Sequence, residues 1–197
     1  FNAITPSVVD PSGLLDTSST CANPTVNGLT ATCTFTINSD TAGVFDVDAT
    51  VVMTIDNADY PAVVVTRSTS GDSGPNGNTG ATKTFVDAAV TVGLDGVNAV
   101  GDRHTVTGTA TKNTGTGGWV PAVGETITFA ITSGPGTLSA TTCQAANNGT
   151  CSVTLDSTTA GVTWVSASTS YKIDTVTLNR TEGISYSSSP VRSCIFS

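Results

Sequence analysis

Residues 33–44 read CTFTINSDTAGV and residues 151–162 read CSVTLDSTTAGV, so one twelve-residue pattern returns 118 positions later without a gap. Each copy begins at a cysteine, and a second cysteine precedes it, at Cys21 and Cys143 respectively. Each copy is followed by a long β-like stretch that ends at an arginine, Arg67 or Arg180. Self-similarity at a fixed period is typical of a tandem array in which each repeat folds as one unit. The sequence therefore predicts two related domains.

Composition and periodicity both indicate a β-protein. The chain has 197 residues, enough for two immunoglobulin-like sandwiches of about 100 residues each. Charged residues make up only 11% of it, against a usual share of about 25%. In the second repeat, apolar residues alternate with Thr, Ser or Ala, as in half-buried strands, over residues 84–92, 105–112, 125–132, 151–156, 162–171 and 175–180. We predict an all-β fold of two tandem immunoglobulin-like antiparallel β-sandwiches, with Trp164 as a core ring.

The two repeats differ in length on their N-terminal side. Only 20 residues precede Cys21, whereas Thr84 lies 59 positions before Cys143, so the first repeat lacks about 39 residues. The predicted organisation is an immunoglobulin-like domain incomplete at its N-terminal side (1–71), a linker (72–83), a complete domain (84–183) and a tail or start of a next linker (184–197). The linker has no large apolar residue and is rich in Gly, Ser and Asn, as connecting segments are.

A sandwich without its first strands has open sheet edges and a half-covered core. We therefore expect the first domain to be completed from outside, either by an upstream stretch of the same polypeptide or by another copy that donates a strand. The second alternative implies a homo-oligomer or polymer with strand exchange. The stretch 185–197, with Val191, Ile195 and Phe196, is a short candidate donor. Because the chain begins at Phe1 instead of Met, we expect a processed or excised part of a longer product.

Charge and hydropathy narrow the classes of partner. The formal net charge is −8, with only seven Lys and Arg, so the chain offers no basic surface to neutralise phosphates. Nucleic-acid binding is therefore not expected. No apolar run approaches the roughly 20 residues of a membrane-spanning helix, so membrane insertion is not expected either.

The five cysteines form two local pairs and one single residue. Cys21 and Cys33 are 12 positions apart, Cys143 and Cys151 are 8 apart, and each pair flanks a turn-prone stretch. Two hairpins with one disulfide each are predicted, because paired strands bring such cysteines within reach. Disulfides indicate an oxidising compartment, hence an extracellular or cell-surface location. Cys194 is left as a free thiol, a buried residue or a bridge to another chain.

No residue set in the sequence predicts an enzyme or a resident cofactor. His104 is the only histidine, and spacing pairs it with no particular serine for nucleophilic hydrolysis and with too few ligands for zinc. Trp119 lies in a Gly-rich loop and is a candidate subunit or ligand contact, with loop packing as the alternative. Four carboxylates near the domain junction are candidates for a calcium ion that would stiffen a rod, with solvated surface carboxylates as the alternative: Asp72, Asp87, Asp95 and Asp102.

Several stretches resemble the bacterial immunoglobulin-like repeats of the invasin and intimin type. They are GATKTFVDA at 80–88, VGDRHTV at 100–106, PAVGETITF at 121–129, GPGTLSA at 134–140 and the step Thr159-Ala160-Gly161. The resemblance covers residues 84–183 and, as the second half of a repeat, residues 14–71. Residues 184–197 depart from it, since Phe-Val-Asp is absent there.

The resemblance implies tandem rods in bacterial surface proteins and adhesins, where repeats act as spacers and polymer units. We therefore expect a structural subunit or repeat module of an extracellular bacterial filament or surface-protein rod. The alternatives are an adhesin domain that binds a receptor or glycan through loops such as 113–120, and a virion decoration protein. A fold alone does not decide among them, because one fold serves many functions.

Overall fold

The computed structural model describes residues 4–8, 15–28, 30–71, 74, 77, 79–93, 95–182 and 192–196, with the backbone alone for 4–8, 15, 16, 57 and 192–196. The chain divides into two compact units, Phe1–Phe85 and Val86–Ser197. All helix and strand structure in the described ranges is β-strand, as predicted. Those ranges accordingly hold no helix long and apolar enough to cross a membrane. Val, Ile, Phe and Thr fill the strands because branched and aromatic side chains pack well on a pleated surface.

The described part of the first unit contains eight strands. They are β1 (Ile4–Val8), β2 (Leu15–Ser19), β3 (Thr25–Asn27), β4 (Thr30–Thr32), β5 (Phe35–Ser39), β6 (Gly43–Asn57), β7 (Tyr60–Ser68) and β8 (Ala81–Phe85). The long strand β6 is central, since β1, β7 and β8 all pair with it in antiparallel orientation. Strand β2 pairs with β5, and β3 forms a hairpin with β4.

The described part of the second unit contains eleven strands. They are β9 (Asp87–Val92), β10 (Gly96–Asn98), β11 (His104–Asn113), β12 (Trp119–Pro121), β13 (Thr126–Ser133), β14 (Thr137–Leu138), β15 (Thr142–Gln144), β16 (Thr150–Asp156), β17 (Gly161–Ile173), β18 (Val176–Thr181) and β19 (Arg192–Phe196). Five of the six stretches predicted as strands in this repeat coincide with strands to within two residues at either end. The sixth, 84–92, is divided between β8 and β9.

The second unit is a sandwich of two sheets. One sheet has the order β9, β11, β16, β14, with β12 also paired to β11. The other is built on β13, β17 and β19, with β15, β18 and β10 added to it. Two largely antiparallel sheets of five and six strands that pack on each other are typical of an immunoglobulin-like sandwich. Strand β10 pairs in parallel with β19, and the other ladders of the unit are antiparallel within the described residues.

The core of the second unit lies between these sheets. Its most deeply buried side chains include Ile127, Phe129, Leu155 and Tyr171, each at most 1% exposed. Strand β17 buries every second residue from 163 to 173. The prediction that Trp164 is a core ring is wrong, because this alternation points Thr163 inward and leaves Trp164 half-buried on the opposite face.

The unit boundaries differ from those expected. Residues 81–83, assigned to the linker, begin β8, which pairs with residues 43–47 of β6, so the first unit extends from the predicted 71 to Phe85. Residues 192–196, assigned to a tail, form β19, which pairs with residues 161–165 of β17. Strand β8 thus pairs along an edge of β6, and β19 pairs along an edge of β17. Each pairing joins residues that are distant in sequence.

The strand ladders of the two units repeat with the sequence. Strand β8 pairs with residues 43–47 and β19 with residues 161–165, again 118 positions apart. The hairpin ladders β6–β7 and β17–β18 begin at Thr50 and Ser168, the same offset. Strands β6, β7 and β8 are therefore the counterparts of β17, β18 and β19. By the same registers, β1, β2 and β5 correspond to β13, β14 and β16.

Candidate functional site

Among its described residues, the first unit has no strand along one edge where the second unit has a paired strand. In the second unit, β11 pairs with β16, bringing Val106 opposite Val153 and His104 opposite Leu155. The counterparts of Val153 and Leu155 are Phe35 and Ile37 in β5, which pairs with β2 on its other edge. Among the described residues of the first unit, no strand corresponds to β9, β10, β11 or β12. The roughly 39 residues inferred to be absent correspond to these four strands.

In the sheet that contains β6 and β8, the described residues of the first unit again provide no strand where the second unit has one. Strand β19 pairs with β17 on one side and, in parallel, with β10 on the other. Its counterpart β8 pairs with β6, and no parallel neighbour is found for it in the part of the unit that the structure describes. The segment 86–124 thus gives strands to both sheets of the second unit, and the described residues of the first unit provide no counterpart of these strands.

Positions of the first unit that correspond to core positions of the second unit are less buried than their counterparts. Ile173 is 7% exposed, whereas its counterpart Ile55 is 57% exposed. Met53, the counterpart of the fully buried Tyr171, is half-buried. Phe35 and Ile37 are half-buried as well, while Val153 and Leu155 are at most 4% exposed. We call the surface formed by Phe35, Ile37, Met53 and Ile55, together with the edges of β5 and β8, the open face.

One end of β6 keeps a small apolar cluster of its own. Phe45 is 2% exposed and contacts Phe85 of β8 edge to face, with ring centroids 5.6 Å apart. Edge-to-face aromatic pairs stabilise by about 0.5–1.5 kcal/mol beyond their buried area. Lys83 Nζ lies 5.6 Å from the centroid of the Phe85 ring. This cluster attaches β8 to β6 and leaves the open face elsewhere on the unit.

In the second unit, polar contacts fasten the first strand to the opposite sheet. Arg180 of β18 donates from Nη2 to Asp87 Oδ1 at 2.7 Å and from Nε to the carbonyl of Ala88 at 2.8 Å. The Tyr171 hydroxyl donates to the carbonyl of Ala89. Burial, and secondarily the nearby Glu125 carboxylate, raise the pKa of Tyr171 to about 12, so this hydroxyl remains a donor at physiological pH. We call these three contacts the β9 clamp.

Sequence reasoning missed the β9 clamp. Arg67 and Arg180 do stand out in the sequence, because each ends the long stretch after the repeated pattern. The partner of Arg180 lies 93 positions upstream, so nothing in the local pattern identifies it.

The structure contains both disulfides that the sequence suggests, Cys21–Cys33 and Cys143–Cys151. The second joins β15 in one sheet to the start of β16 in the other, so it connects the two layers of the sandwich. The first encloses the β3–β4 hairpin, and Cys21 is 2% exposed. The backbone of Cys194 lies in β19 opposite Thr163, and its side chain is outside the described residues.

The remaining candidate residues are not gathered into one site. No group of three or more His, Cys, Asp or Glu side chains suited to a metal ion occurs in the described ranges, which include Asp87, Asp95 and Asp102. Asp72 lies outside the described residues. Trp119 is placed in strand β12 opposite Asn113 and not in a loop, and it is 52% exposed. His104 Nδ1 lies 2.9 Å from Asn98 Oδ1.

Comparison with known proteins gives two similar solved structures. No family model and no curated protein sequence matches the chain. The chain is similar to the D00-D0 domain of intimin at 18% identity, with a TM-score of 0.45 and coverage of 100% of this chain and 85% of that one. It is also similar to the D0-D1 domain of intimin at 22% identity, with a TM-score of 0.32 and coverage of 98% and 82%. Both of these solved structures are of domains of intimin.

Proposed function

We propose that this chain is a structural module of an extracellular bacterial rod or filament in which immunoglobulin-like units follow one another. In this proposal, strands from outside the chain complete the open face of the first unit. The observation that carries this is the contrast between β5 and β16. The counterpart strands have the same register, yet within the described residues a partner along the second edge is found for β16 and not for β5. An open edge with apolar side chains beside it is a template for strand addition.

The occupant that fits is a β-segment with the pattern of residues 86–124. In the second unit that segment supplies one strand along β16 and another along β19, and its core-facing side chains include Val90, Val106 and Ala110, at most 6% exposed. The predicted donor 185–197 does not fit this role, because its described part, β19, is already paired on both edges within the second unit.

A synthetic peptide with the sequence of residues 86–124 tests strand completion. Added to the full chain, it should slow hydrogen exchange in residues 35–39 and 81–85, because their free amides would enter new ladders. Exchange in residues 150–156, already paired, should not change. If the peptide leaves the exchange of the first unit unaltered, the open face is not completed by such a segment. If the chain alone forms a defined oligomer with the same protection, a second copy is the occupant.

A binding function around Trp119 is the second candidate. Trp119 and Val120 of β12, and Val123 shortly after that strand, are 52%, 40% and 51% exposed. Exposed aromatic rings favour contacts with sugars or with a protein surface. In a Trp164→Phe background, Trp119 is the single tryptophan, and its fluorescence can be titrated with neutral oligosaccharides. Quenching that saturates would support an adhesin role. An unchanged spectrum would leave the rod module as the single proposed function.

A further inference from the structure

Gly108 of β11 is a core position of the second unit where the opposite sheet leaves no room for a side chain. A Cβ on Gly108 would lie 2.8 Å from Phe129 Cζ and 3.0 Å from Ile127 Cγ2. The φ angle of Gly108 is not positive, so space, and not backbone conformation, requires glycine here. A glycine inside a strand often marks such a close approach. The size of residue 108 is therefore matched to the Phe129 ring across the core.

The first unit has a smaller residue at the position of Phe129. Pro6 lies opposite Ala49 in the β1–β6 ladder. Phe129 lies opposite Ala167 in the β13–β17 ladder, and 49 and 167 differ by the repeat offset of 118. Pro6 and Phe129 are both preceded by Ile-Thr, so sequence and register give the same correspondence. A prolyl ring is smaller than a benzyl group, so a strand that completes the first unit meets less side-chain volume at this point.

The neighbouring strand of the first unit carries a larger residue than its counterpart. Phe35 of β5 corresponds to Val153 of β16, and Val153 lies opposite Val106, two positions before Gly108. Phe35 is thus a lateral neighbour of an incoming strand, whereas Pro6 belongs to the sheet that this strand would face. The residue across the core from position 108 is accordingly the small one.

We propose that the first unit selects its completing segment by size, and that this segment carries a branched apolar side chain where residues 86–124 have Gly108. Such a side chain buries apolar area that a glycine leaves unfilled. The partner is then a β-segment of a different repeat, and the segment 86–124 of another copy of this chain fits less well. This inference rests on the proposed completion of the open face and adds Pro6 as the residue that decides which segment fits.

Two fluorescently labelled peptides test this preference, one with the sequence of residues 86–124 and one with Gly108→Val in addition. Their affinities for the full chain are measured by anisotropy. We expect Gly108→Val to bind about tenfold more tightly, as burial of part of a valine side chain implies. A full chain with Pro6→Phe has the larger ring at this register position and should prefer the original peptide. Pro6→Ala should keep the preference for Gly108→Val.

The Pro6→Phe chain also separates fit from strand propensity. Valine favours strands more than glycine does, but a gain from propensity alone would be equal for the original chain and Pro6→Phe. Ser7→Phe adds a ring one position along β1, on the other face of that strand, and should leave the preference unchanged. Hydrogen exchange across residues 43–57 shows whether each variant keeps the fold of the first unit.

The outcomes distinguish this inference from the proposed function. If the original peptide binds the original chain at least as tightly as Gly108→Val, as it would if the Phe35 ring filled the space, selection by size is wrong and strand completion stands. An equal gain in the Pro6→Phe chain leads to the same conclusion. If neither peptide binds the original chain, selection by size and strand completion are both wrong.

Discussion

Ile55 and Ile173 occupy the same position of the repeat, yet Ile55 is 57% exposed and Ile173 is 7% exposed. The difference follows from which strands surround each residue. Ile173 lies at the end of β17, where β9 packs, and Ile55 lies at the corresponding place in β6, where the described residues provide no such strand.

Replacing each of these two isoleucines by alanine should lower the free energy of unfolding by very different amounts. Ile173→Ala removes buried methyl groups and should lower the free energy of unfolding of the second unit by about 2–4 kcal/mol. Ile55→Ala should change that of the first unit by less than about 1 kcal/mol, because the side chain is largely in water already. Both tryptophans, Trp119 and Trp164, lie in the second unit, so their fluorescence during denaturation reports on it, and hydrogen exchange of residues 43–57 reports on the first. Equal losses would contradict the open face.

Tyr171 should make stability fall at high pH. Its pKa is raised to about 12 in the folded state from the ordinary 10, so the folded chain retains a proton that the unfolded chain releases. The contribution of this pKa shift to the free energy of unfolding is complete below about pH 10 and is lost as the pH rises towards 12. The free energy of unfolding then falls by at most about 1.4 kcal/mol per pH unit. Tyr171→Phe, which loses about 1 kcal/mol of hydrogen bonding at neutral pH, should not show this decline. If the free energies of unfolding of the original chain and Tyr171→Phe change in parallel between about pH 9 and 12, this prediction is wrong.

The coupling energy between Arg180 and Asp87 of the β9 clamp should exceed that between Arg103 and Asp156, a second ion pair of the same unit. Arg180 and Asp87 are 2.7 Å apart and about one-third exposed, whereas Arg103 Nε and Asp156 Oδ1 are 3.4 Å apart with the arginine side chain 76% exposed. A cycle of Arg180→Gln and Asp87→Asn should give a coupling of about 0.5–1 kcal/mol. The cycle of Arg103→Gln and Asp156→Asn should give less than about 0.3 kcal/mol. Raising the salt concentration should reduce both values.

The Cys143–Cys151 disulfide should stabilise the second unit mainly by restricting its unfolded chain. Its sequence separation is 8, and closure of so short a loop is worth about 2.5 kcal/mol in the chain-entropy model. The Cys143→Ala/Cys151→Ala variant should lose about that amount, measured by denaturant unfolding followed through tryptophan fluorescence. As a control, added reductant should no longer shift the tryptophan transition of this variant, whereas it should shift that of the original chain.

Gly134 should tolerate alanine far less well than Gly117. Both have positive φ values, of 93° and 77°, which cost an L side chain about 1 kcal/mol or more. A Cβ at Gly134 would also lie 2.0 Å from the carbonyl oxygen of Val162, while one at Gly117 would meet nothing within 4 Å. Gly134→Ala should therefore lower the unfolding midpoint of the second unit markedly, and Gly117→Ala only slightly. Similar shifts for the two variants would argue against the close approach at Gly134.

Local pattern predicted much of this fold and little of its interior detail. Alternation of Thr with Val, Ile or Phe predicted the strands. The repeat predicted that the first unit lacks the strands that correspond to β9–β12, and its described residues contain none of them. The prediction of Trp164 as a core residue failed because alternation gives two faces without saying which is inward, and in β17 the buried face carries Thr163.

The candidate site was predictable in outline because it follows from comparing the two copies. Of its two edge strands, β8 was predicted in part as a linker (81–83), since a short polar stretch such as Ala81–Phe85 acquires strand structure only by pairing with residues about 40 positions away. The same holds for the contact between Arg180 and Asp87, which no local pattern contains. Pairings between distant residues were thus the part beyond the reach of the sequence.

The β9 clamp also affects the time course of folding. Its three contacts join residues separated by 82, 92 and 93 positions. Strand β9 can pair with β11 earlier, but it cannot be attached to the opposite sheet until nearly all of that unit has been synthesised. Proteins dominated by such distant pairings fold in milliseconds to seconds, more slowly than those with local contacts. Until those contacts form, β9 is held through its ladder with β11 alone, and the side of the core beneath it is covered last.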